Sequence, residues 1–328
     1  MKPQRIVIGG ASGFLGSRLV TELTADGWEV VTVGRGAADA NWDDPAGILR
    51  LVDGAAAVIG LAGKSIDCRY TDANRDEVLR SRMDTTRALS DAIAASANPP
   101  AVWLNASTAN IYRHATDRPQ TERDGEIGGG FTVDVSREWE RAFTEAELPG
   151  TRRVALRISI VLGDGPATHL LFRLARLGAG GPQFDGRWFP HSRYRGIGSD
   201  PSEPEQPTWH PTRGRQRFSW VHIDDFVGIV RFALANDSLS GPVNVAAPAV
   251  SDNRTFMRHL RRTAGMPIGI PAFRWMLEPA TWAMRSESEM VLKSRWTPPA
   301  ALLDAGYVFT WPELEPALRA VDAEIRGR

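Results

Sequence analysis

Short apolar segments alternate with longer amphipathic ones through the first two-thirds of the chain. Residues 5–9 and 29–33 are mainly apolar and 56–61 are apolar throughout, which is typical of strands buried on both faces of a parallel sheet. Between and after them, apolar residues recur at helical spacing. This alternation predicts an α/β fold built on a doubly wound parallel sheet. Further strands are predicted at 101–106, 152–158 and 243–246, and helices at 14–26, 75–97, 133–146, 226–235 and 312–325.

The first strand runs directly into a glycine-rich turn and then into a helix. Glycine permits positive φ and close approach of a ligand to the backbone. The start of a helix offers unpaired N–H groups and a positive dipole end to a pyrophosphate. In this position the turn predicts a dinucleotide-binding site, the alternative being a turn that binds nothing. The residues predicted to bind the cofactor here are Gly10, Ser12, Gly13, Phe14, Leu15 and Gly16.

The end of the second strand indicates which dinucleotide is bound. An NAD site usually carries Asp or Glu there, on the ribose 2′-hydroxyl. This chain has Gly34 followed by Arg35, and a guanidinium pairs well with a 2′-phosphate. We therefore expect NADP(H) rather than NAD(H), although Arg35 is also compatible with an ordinary exposed loop.

Two regions depart from the alternating pattern. Residues 178–215 are rich in Gly, Pro, Arg and Ser without periodicity, and irregular segments of this length are usually lids, binding loops or disorder. After about residue 265 the chain becomes helical and rich in Trp. We therefore predict a Rossmann domain over 1–250 with an irregular insertion at 178–215, and a small, mainly helical C-terminal substrate or cap domain over 251–328.

Composition narrows the function classes. Lys and Arg number 39, as do Asp and Glu, so no net field attracts nucleic acid or an anionic membrane. No apolar run approaches the ~20 residues of a membrane span. Cys68 is the single cysteine, which excludes an internal disulfide, and no metal signature is present. We expect a cytoplasmic protein with a small-molecule substrate, and the oligomeric state is left open.

Several short motifs are spread along the chain. They are G-G-A-S-G-F-L-G at 9–16, L-A-G at 61–63, S-R-M-D-T-T at 81–86, S-W-V-H-I-D-D at 219–225, G-P-V-N-V-A-A-P at 241–248 and R-W-T-P at 295–298. With them the chain resembles the extended short-chain dehydrogenase/reductases, and more closely their epimerase-like branch whose C-terminal domain has no assigned function. The resemblance covers nearly the whole chain outside 178–215.

The resemblance implies further cofactor contacts. It places Leu61, Ala62 and Gly63 beside the adenosine ribose, Arg82 on a helix facing the cofactor, and Ile160 near the nicotinamide. It also implies a substrate site between the Rossmann domain and the C-terminal part.

The catalytic residues usual in that superfamily are missing. Ordinary members move a proton with Tyr-x-x-x-Lys, in which the Lys lowers the pKa of the Tyr. The corresponding places fall near Thr132 and Ser136, and neither side chain can do this work. We predict Ser107 and Tyr112, after the strand 101–106, as the catalytic residues. The alternatives are a polar strand-end cap for Ser107 and a packed ring for Tyr112.

The segment before the helix 226–235 offers less specific candidates. If it is extended, Arg213, Arg215 and Arg217 share one face, and Trp220 lies with two other rings on the opposite face. Arg217 and Trp220 are therefore predicted to contact an anionic substrate, with a solvated basic edge as the alternative. For Asp224 we favour a helix N-cap over a metal or catalytic role.

Together these features predict an NADP(H)-dependent oxidoreductase or epimerase that acts on a small polar molecule. The alternative is a redox-sensing or scaffold protein that binds NADP(H) without turnover.

Overall fold

A parallel sheet of seven strands forms the centre of the molecule, as the computed structural model shows. The structure describes residues 3–186, 188–189, 191–204 and 212–327. Residues 187, 190 and 205–211 of the predicted insertion lie outside them. The strands are β1 (Arg5–Gly9), β2 (Glu29–Gly34), β3 (Ala40–Asn41), β4 (Ala57–Gly60), β5 (Val102–Thr108), β6 (Arg152–Ile158), β7 (Ile160–Leu162), β8 (Arg217–Phe218), β9 (Trp220–His222), β10 (Gly241–Val245) and β11 (Ser251–Asp252).

The large sheet has the order β10-β6-β5-β4-β1-β2-β3. Its neighbouring strands are all parallel, with Ile6 of β1 opposite both Val30 of β2 and Ala57 of β4. The expected doubly wound sheet is therefore confirmed. Two small pairs lie outside it, β7 with β9 in parallel and β8 with β11 antiparallel.

Helices cover both faces of this sheet. The α-helices of the molecule are α1 (Phe14–Ala25), α2 (Pro45–Val52), α3 (Asp72–Ala95), α4 (Phe131–Thr144), α5 (Pro166–Leu174), α6 (Ile223–Ala235), α7 (Asn253–Thr263), α8 (Arg274–Ala283), α9 (Glu289–Leu292), α10 (Ala300–Asp304) and α11 (Leu314–Arg326). On one face α1 and α6 enclose a core with Leu19 and Phe226. On the other, α2, α3 and α4 pack residues such as Ile48, Leu89 and Phe143 against the sheet. Among the described residues, no helix combines the length and apolar character that crossing a membrane requires.

A third core cluster joins the two predicted domains. It contains Leu162 and Phe172 from before residue 250, and Phe256 and Leu318 from after it. The strand pair β8–β11 also crosses that boundary. Packing is therefore continuous there, and the division at 250 stays a prediction.

One buried carboxylate fastens three separate segments together. Glu287 is fully buried and accepts hydrogen bonds from Arg69 Nη1 (3.1 Å) and the Tyr70 backbone N–H (2.9 Å). It also accepts from Arg193 Nε (3.0 Å) and Tyr194 Oη (2.7 Å). These donors come from the segment after β4 and from the insertion, whereas Glu287 lies in the C-terminal part.

The boundaries differ from the predictions where a cap was misread. Helix α3 begins at Asp72 rather than 75, since the Thr71 hydroxyl accepts from the Asn74 N–H and caps it. Helix α6 begins at Ile223. Its N-cap is His222 rather than Asp224, because His222 Nδ1 accepts from the Asp224 N–H at 3.2 Å.

Replacing the Glu287 carboxylate tests whether it holds these segments. Glu287→Gln leaves the Arg69 and Arg193 charges without their buried partner, so we expect the free energy of unfolding to fall by about 3 kcal/mol. Urea unfolding followed by circular dichroism measures this. Glu313→Gln, at an exposed glutamate of the same C-terminal part, is the control and is expected to change it by less than about 0.5 kcal/mol. Equal stability of the two variants would contradict this role.

Candidate active site at the carboxyl ends of the strands

The glycine turn brings two predicted cofactor segments into contact. Gly10 has a φ of 85°, and a Cβ there would lie 2.8 Å from the backbone N of Ala62. A Cβ on Gly16 would lie 2.3 Å from the Gly10 carbonyl oxygen. Side chains are therefore excluded at both positions, and the backbone of Leu61 and Ala62 passes directly beside the turn.

The start of α1 is open to a ligand. Gly13 is the N-cap and supplies no side-chain hydrogen bond, so the first N–H groups of the helix lack a capping partner. Ser12 and Gly13 are exposed, and Leu15 is half-buried. The Phe14 ring packs against Gly163 and Gly165, where an added Cβ would lie 3.1 and 3.0 Å from it.

Positive charge lies beside the end of β2. Arg35 directly follows that strand and is exposed. Lys64 Nζ lies 2.6 Å from Glu77 Oε2. This hydrogen bond lowers the pKa of Glu77, and the charge of Arg35 adds to the effect. Arg35, Lys64 and Glu77 therefore share one edge of the candidate site.

Arg82 supports the segment after β4. Its Nη1 donates to the carbonyl oxygens of Lys64 and Val78, at 2.9 Å each. Its guanidinium lies 4.9 Å from the ring centroid of Trp139, and burial lowers its pKa to about 10. Its side chain packs on Gly63, where a Cβ would lie 3.1 Å from Arg82 Cγ. Direct contacts of Arg82 and of Ile160, half-buried in β7, with a cofactor stay predictions.

A row of polar residues crosses the strand ends on the face covered by α4. Arg157 of β6 is in register with Ser107 of β5 and Asn244 of β10. Glu140 of α4 accepts from the Ser107 hydroxyl at 2.6 Å. It also accepts from Arg157 Nε and Nη2, at 2.8 Å each. The ion pair thus ties the helix to the sheet.

Tyr112 completes this row. Its hydroxyl donates to Asn244 Oδ1 at 2.9 Å and accepts from Arg157 Nη1 at 2.7 Å. Burial raises its pKa, which makes proton release harder. Tyr112 is 2% exposed and Ser107 4%. Both hydroxyls are hydrogen-bonded within the protein and hold the strand ends together, and their catalytic role stays a prediction.

Two substrate contacts are predicted near β9. Trp220 is 0% exposed and its indole N–H donates to the Ala249 carbonyl oxygen, and its contact with substrate stays a prediction. The segment is not extended throughout, since Arg213 has a φ of 52° and a turn follows. The Arg217 guanidinium lies 4.2 Å from the ring centroid of Trp296, and its contact with substrate stays a prediction.

The acidic pair Asp224 and Asp225 lies in the first turn of α6 and contacts the C-terminal part. Asp225 accepts from the backbone N–H groups of Thr310 (2.8 Å) and Trp311 (2.9 Å). Contact with His222 is the main cause that lowers the pKa of Asp224 to about 2, and the indole N–H of Trp311 adds to it. Within the described ranges, no group of three His, Cys, Asp or Glu could hold a metal ion.

The C-terminal part adds residues that the sequence did not single out. Lys293 Nζ donates to the Asn110 carbonyl oxygen at 2.9 Å, and Arg295 Nε donates to Asn110 Oδ1. Glu289 Oε1 accepts from the Thr132 hydroxyl at 3.0 Å. Two cations and one acid thus reach the end of β5 and the start of α4. Only the R-W-T-P motif at 295–298 had marked this region.

Comparisons with known proteins agree with this geometry. The NAD dependent epimerase/dehydratase family matches residues 6–129, and a domain of unknown function, DUF1731, matches 274–321. The epimerase family protein SDR39U1 of Bos taurus is 33% identical, over 97% of this chain and 100% of its own. The chain belongs to the NAD dependent epimerase/dehydratase family. Within it, the YfhF protein of Bacillus subtilis is 28% identical over 97% of this chain and 98% of its own.

Among solved structures, one similar protein was crystallised with its cofactor. The crystal structure of human SDR39U1 (isoform 2) with NADPH has a TM-score of 0.80 and 28% identity, covering 98% of this chain and 99% of that one. The structure of MoeE5 with UDP-glucose and NAD has a TM-score of 0.70 at 20% identity, covering 99% of each chain. That second likeness shows the fold alone.

Substitution by alanine is expected to affect stability differently at two glycines of the turn. We expect Gly16→Ala to lower the free energy of unfolding by about 2 kcal/mol, because its Cβ would overlap backbone atoms. Gly13→Ala is the control, since the same Cβ would meet its nearest atom at 3.6 Å. Urea unfolding distinguishes them, and similar midpoints would refute the close-approach argument.

The ion pair of the polar row is tested by Glu140→Gln. We expect a loss of about 3 kcal/mol in unfolding free energy, because Arg157 keeps a buried charge without its counterion. Glu138→Gln on the same helix breaks only the surface pair with Arg141 and is expected to cost less than about 1 kcal/mol. Thermal unfolding of both variants checks this, and a stable Glu140→Gln protein would argue against the network.

Proposed function

We propose that this protein is an NADP(H)-dependent oxidoreductase or epimerase that acts on a small polar molecule. The observation that carries the proposal is the contact between the glycine turn and the Leu61–Ala62 backbone beside an uncapped helix start. A dinucleotide pyrophosphate fits such a start. The NADPH-bound human relative, similar over 98% of this chain, supports the choice of cofactor.

The residues present fit NADP(H) better than NAD(H). Gly34 ends β2 without an acid, and exposed Arg35 follows it. The carboxylate in this loop, Asp39, accepts from the Thr32 N–H (2.8 Å) and hydroxyl (2.9 Å), so it is already engaged within the protein. Arg35 would then hold the 2′-phosphate, while the turn and the first N–H groups of α1 hold the pyrophosphate.

The chemistry follows from this placement. NADPH, when bound, supplies a hydride, and the protein orients it and handles the proton. The polar row of Ser107, Arg157 and Asn244 fixes the strand ends, against which the cofactor and the substrate would bind. Orientation of this kind lowers the barrier because the reacting atoms are already positioned.

The described part of the insertion supports a substrate-covering role. Arg75 of α3 donates to the carbonyl oxygens of Arg195 and Gly196, at 2.9 Å each. Asp134 of α4 accepts from the Ser202 hydroxyl at 2.8 Å and the Ile197 N–H at 3.1 Å. The insertion therefore rests on the starts of α3 and α4, beside the candidate site. Its opening and closing as a lid stay a prediction, as does the cytoplasmic location.

Cofactor binding tests the proposal directly. Calorimetric titration with NADPH, NADP⁺, NADH and NAD⁺ is expected to show tight binding of the phosphorylated pair. Arg35→Ala is expected to weaken NADPH binding about tenfold, the value of a charged hydrogen bond of about 1.5 kcal/mol, with NADH little changed. Arg50→Ala, an exposed arginine on α2, is the control. Absence of binding by all four nucleotides would overturn the proposal.

A further inference from the structure

The start of α4 carries hydroxyl side chains at the two positions that matter for proton transfer in related enzymes. Thr132 and Ser136 stand where related enzymes carry the proton-transferring Tyr and its Lys. The Ser136 hydroxyl is 1% exposed and donates to the Thr132 carbonyl oxygen at 2.6 Å, so it is engaged within the helix. A threonine hydroxyl is far too weak an acid to replace the phenol. Proton transfer must therefore come from another side chain near this position.

A carboxylate from the C-terminal part occupies that place. Thr132 Oγ1 donates to Glu289 Oε1 at 3.0 Å, which fixes the orientation of the carboxyl group. The second oxygen, Oε2, is buried and has no hydrogen-bond partner among the described residues. A buried carboxylate oxygen without a donor is costly. That cost is removed when a ligand hydroxyl forms a hydrogen bond with Oε2.

Residues from three parts of the chain surround Glu289. Thr132 belongs to the start of α4, Tyr70 to the segment between β4 and α3, and Arg295 holds Asn110 after β5. Burial lowers the pKa of Arg295, and the nearby Glu289 charge opposes the shift. Burial raises the pKa of Tyr70, and Glu289 adds to that increase. Glu289 therefore influences the pKa values of both Tyr70 and Arg295.

Two positively charged residues, Lys293 and Arg295, follow Glu289 along the chain. Arg295 is 6% exposed and Lys293 8%, and both donate to Asn110, as described above. Buried positive charge at this position stabilises negative charge that develops on a substrate oxygen. Lys293 and Arg295 thus place at the strand ends the kind of charge that the missing helix lysine provides in related enzymes.

We propose that Glu289, contributed by the C-terminal domain of unknown function, is the proton donor and acceptor that replaces the missing tyrosine. In the reductive direction the substrate carbon receives hydride from NADPH, which becomes NADP⁺, and the carbonyl π electrons move to oxygen. That oxygen takes the proton from Glu289 Oε2, giving an alcohol and a carboxylate that regains its proton from solvent. In the oxidative direction the carboxylate removes the hydroxyl proton, the carbon gives its hydride to NADP⁺, and the O–H bond electrons form the carbonyl π bond. This inference rests on the proposed function.

Glu289→Gln tests the inference with little change of shape. Glutamine keeps an acceptor for the Thr132 hydroxyl but cannot donate an acidic proton. With NADPH and phenanthrenequinone as the carbonyl probe, we expect kcat/KM to fall ~100-fold or more, the usual contribution of a general acid. Glu289→Asp retains the acid and is expected to recover part of the loss. The control, Glu313→Gln, is expected to match wild type.

A binding measurement provides a readout that does not depend on turnover. The oxidised nicotinamide carries a positive charge that the reduced ring lacks, so a neighbouring carboxylate favours NADP⁺. Calorimetry of the full chain is expected to show that Glu289→Gln weakens NADP⁺ about fivefold relative to NADPH, about 1 kcal/mol. Glu313→Gln is expected to leave this ratio unchanged.

The two proposals fail in different ways. If wild type binds neither NADPH nor NADP⁺, the proposed function is overturned. If wild type binds both and Glu289→Gln keeps the wild-type ratio, the assignment of Glu289 alone is overturned, whether or not the quinone is reduced. If the ratio changes but quinone reduction by Glu289→Gln equals that of wild type, Glu289 lies beside the nicotinamide without transferring the proton, and the assignment also fails.

Discussion

The buried Glu287 carboxylate is the interaction on which the shape of the candidate site depends. Its donors come from the segment after β4 and from the insertion, and Glu287 itself precedes α9 in the C-terminal part. A buried charge is tolerated only when it is fully hydrogen-bonded. The three segments must therefore converge at one point, and this convergence brings the neighbouring Glu289 to the start of α4.

The sheet provides the other half of the site in a different way. Its seven parallel strands end at one edge, where parallel sheets bind their ligands. There the glycine turn leaves backbone exposed, whereas the row of Ser107, Arg157 and Asn244 is closed by Glu140 and Tyr112. Exposed backbone at the turn can bind a nucleotide, and the hydrogen-bonded polar row beside it keeps the strand ends rigid. The carboxylate that we propose for proton transfer then comes from outside the sheet.

Much of the fold could be predicted because its signals are local. Buried parallel strands are apolar runs, and these located the six longer strands of the large sheet to within one or two residues. Three strands that were not predicted, β3, β8 and β11, have two residues each. Strands this short are defined by their partners rather than by their own sequence. Helix capping was misread at His222 because an Asp two residues later fits the usual pattern equally well.

The sequence by itself determined the sheet and the glycine turn, because each depends on residues close together along the chain. Only the tertiary structure decided which side chains are accessible. Ser107, Tyr112 and Trp220 carry suitable groups but face partners inside the protein, and their burial depends on α4, β10 and the segment after β10. Thr132 and Glu289 are separated by 157 positions. No pattern of spacing connects residues so far apart, since their contact arises from folding the C-terminal part back onto the sheet.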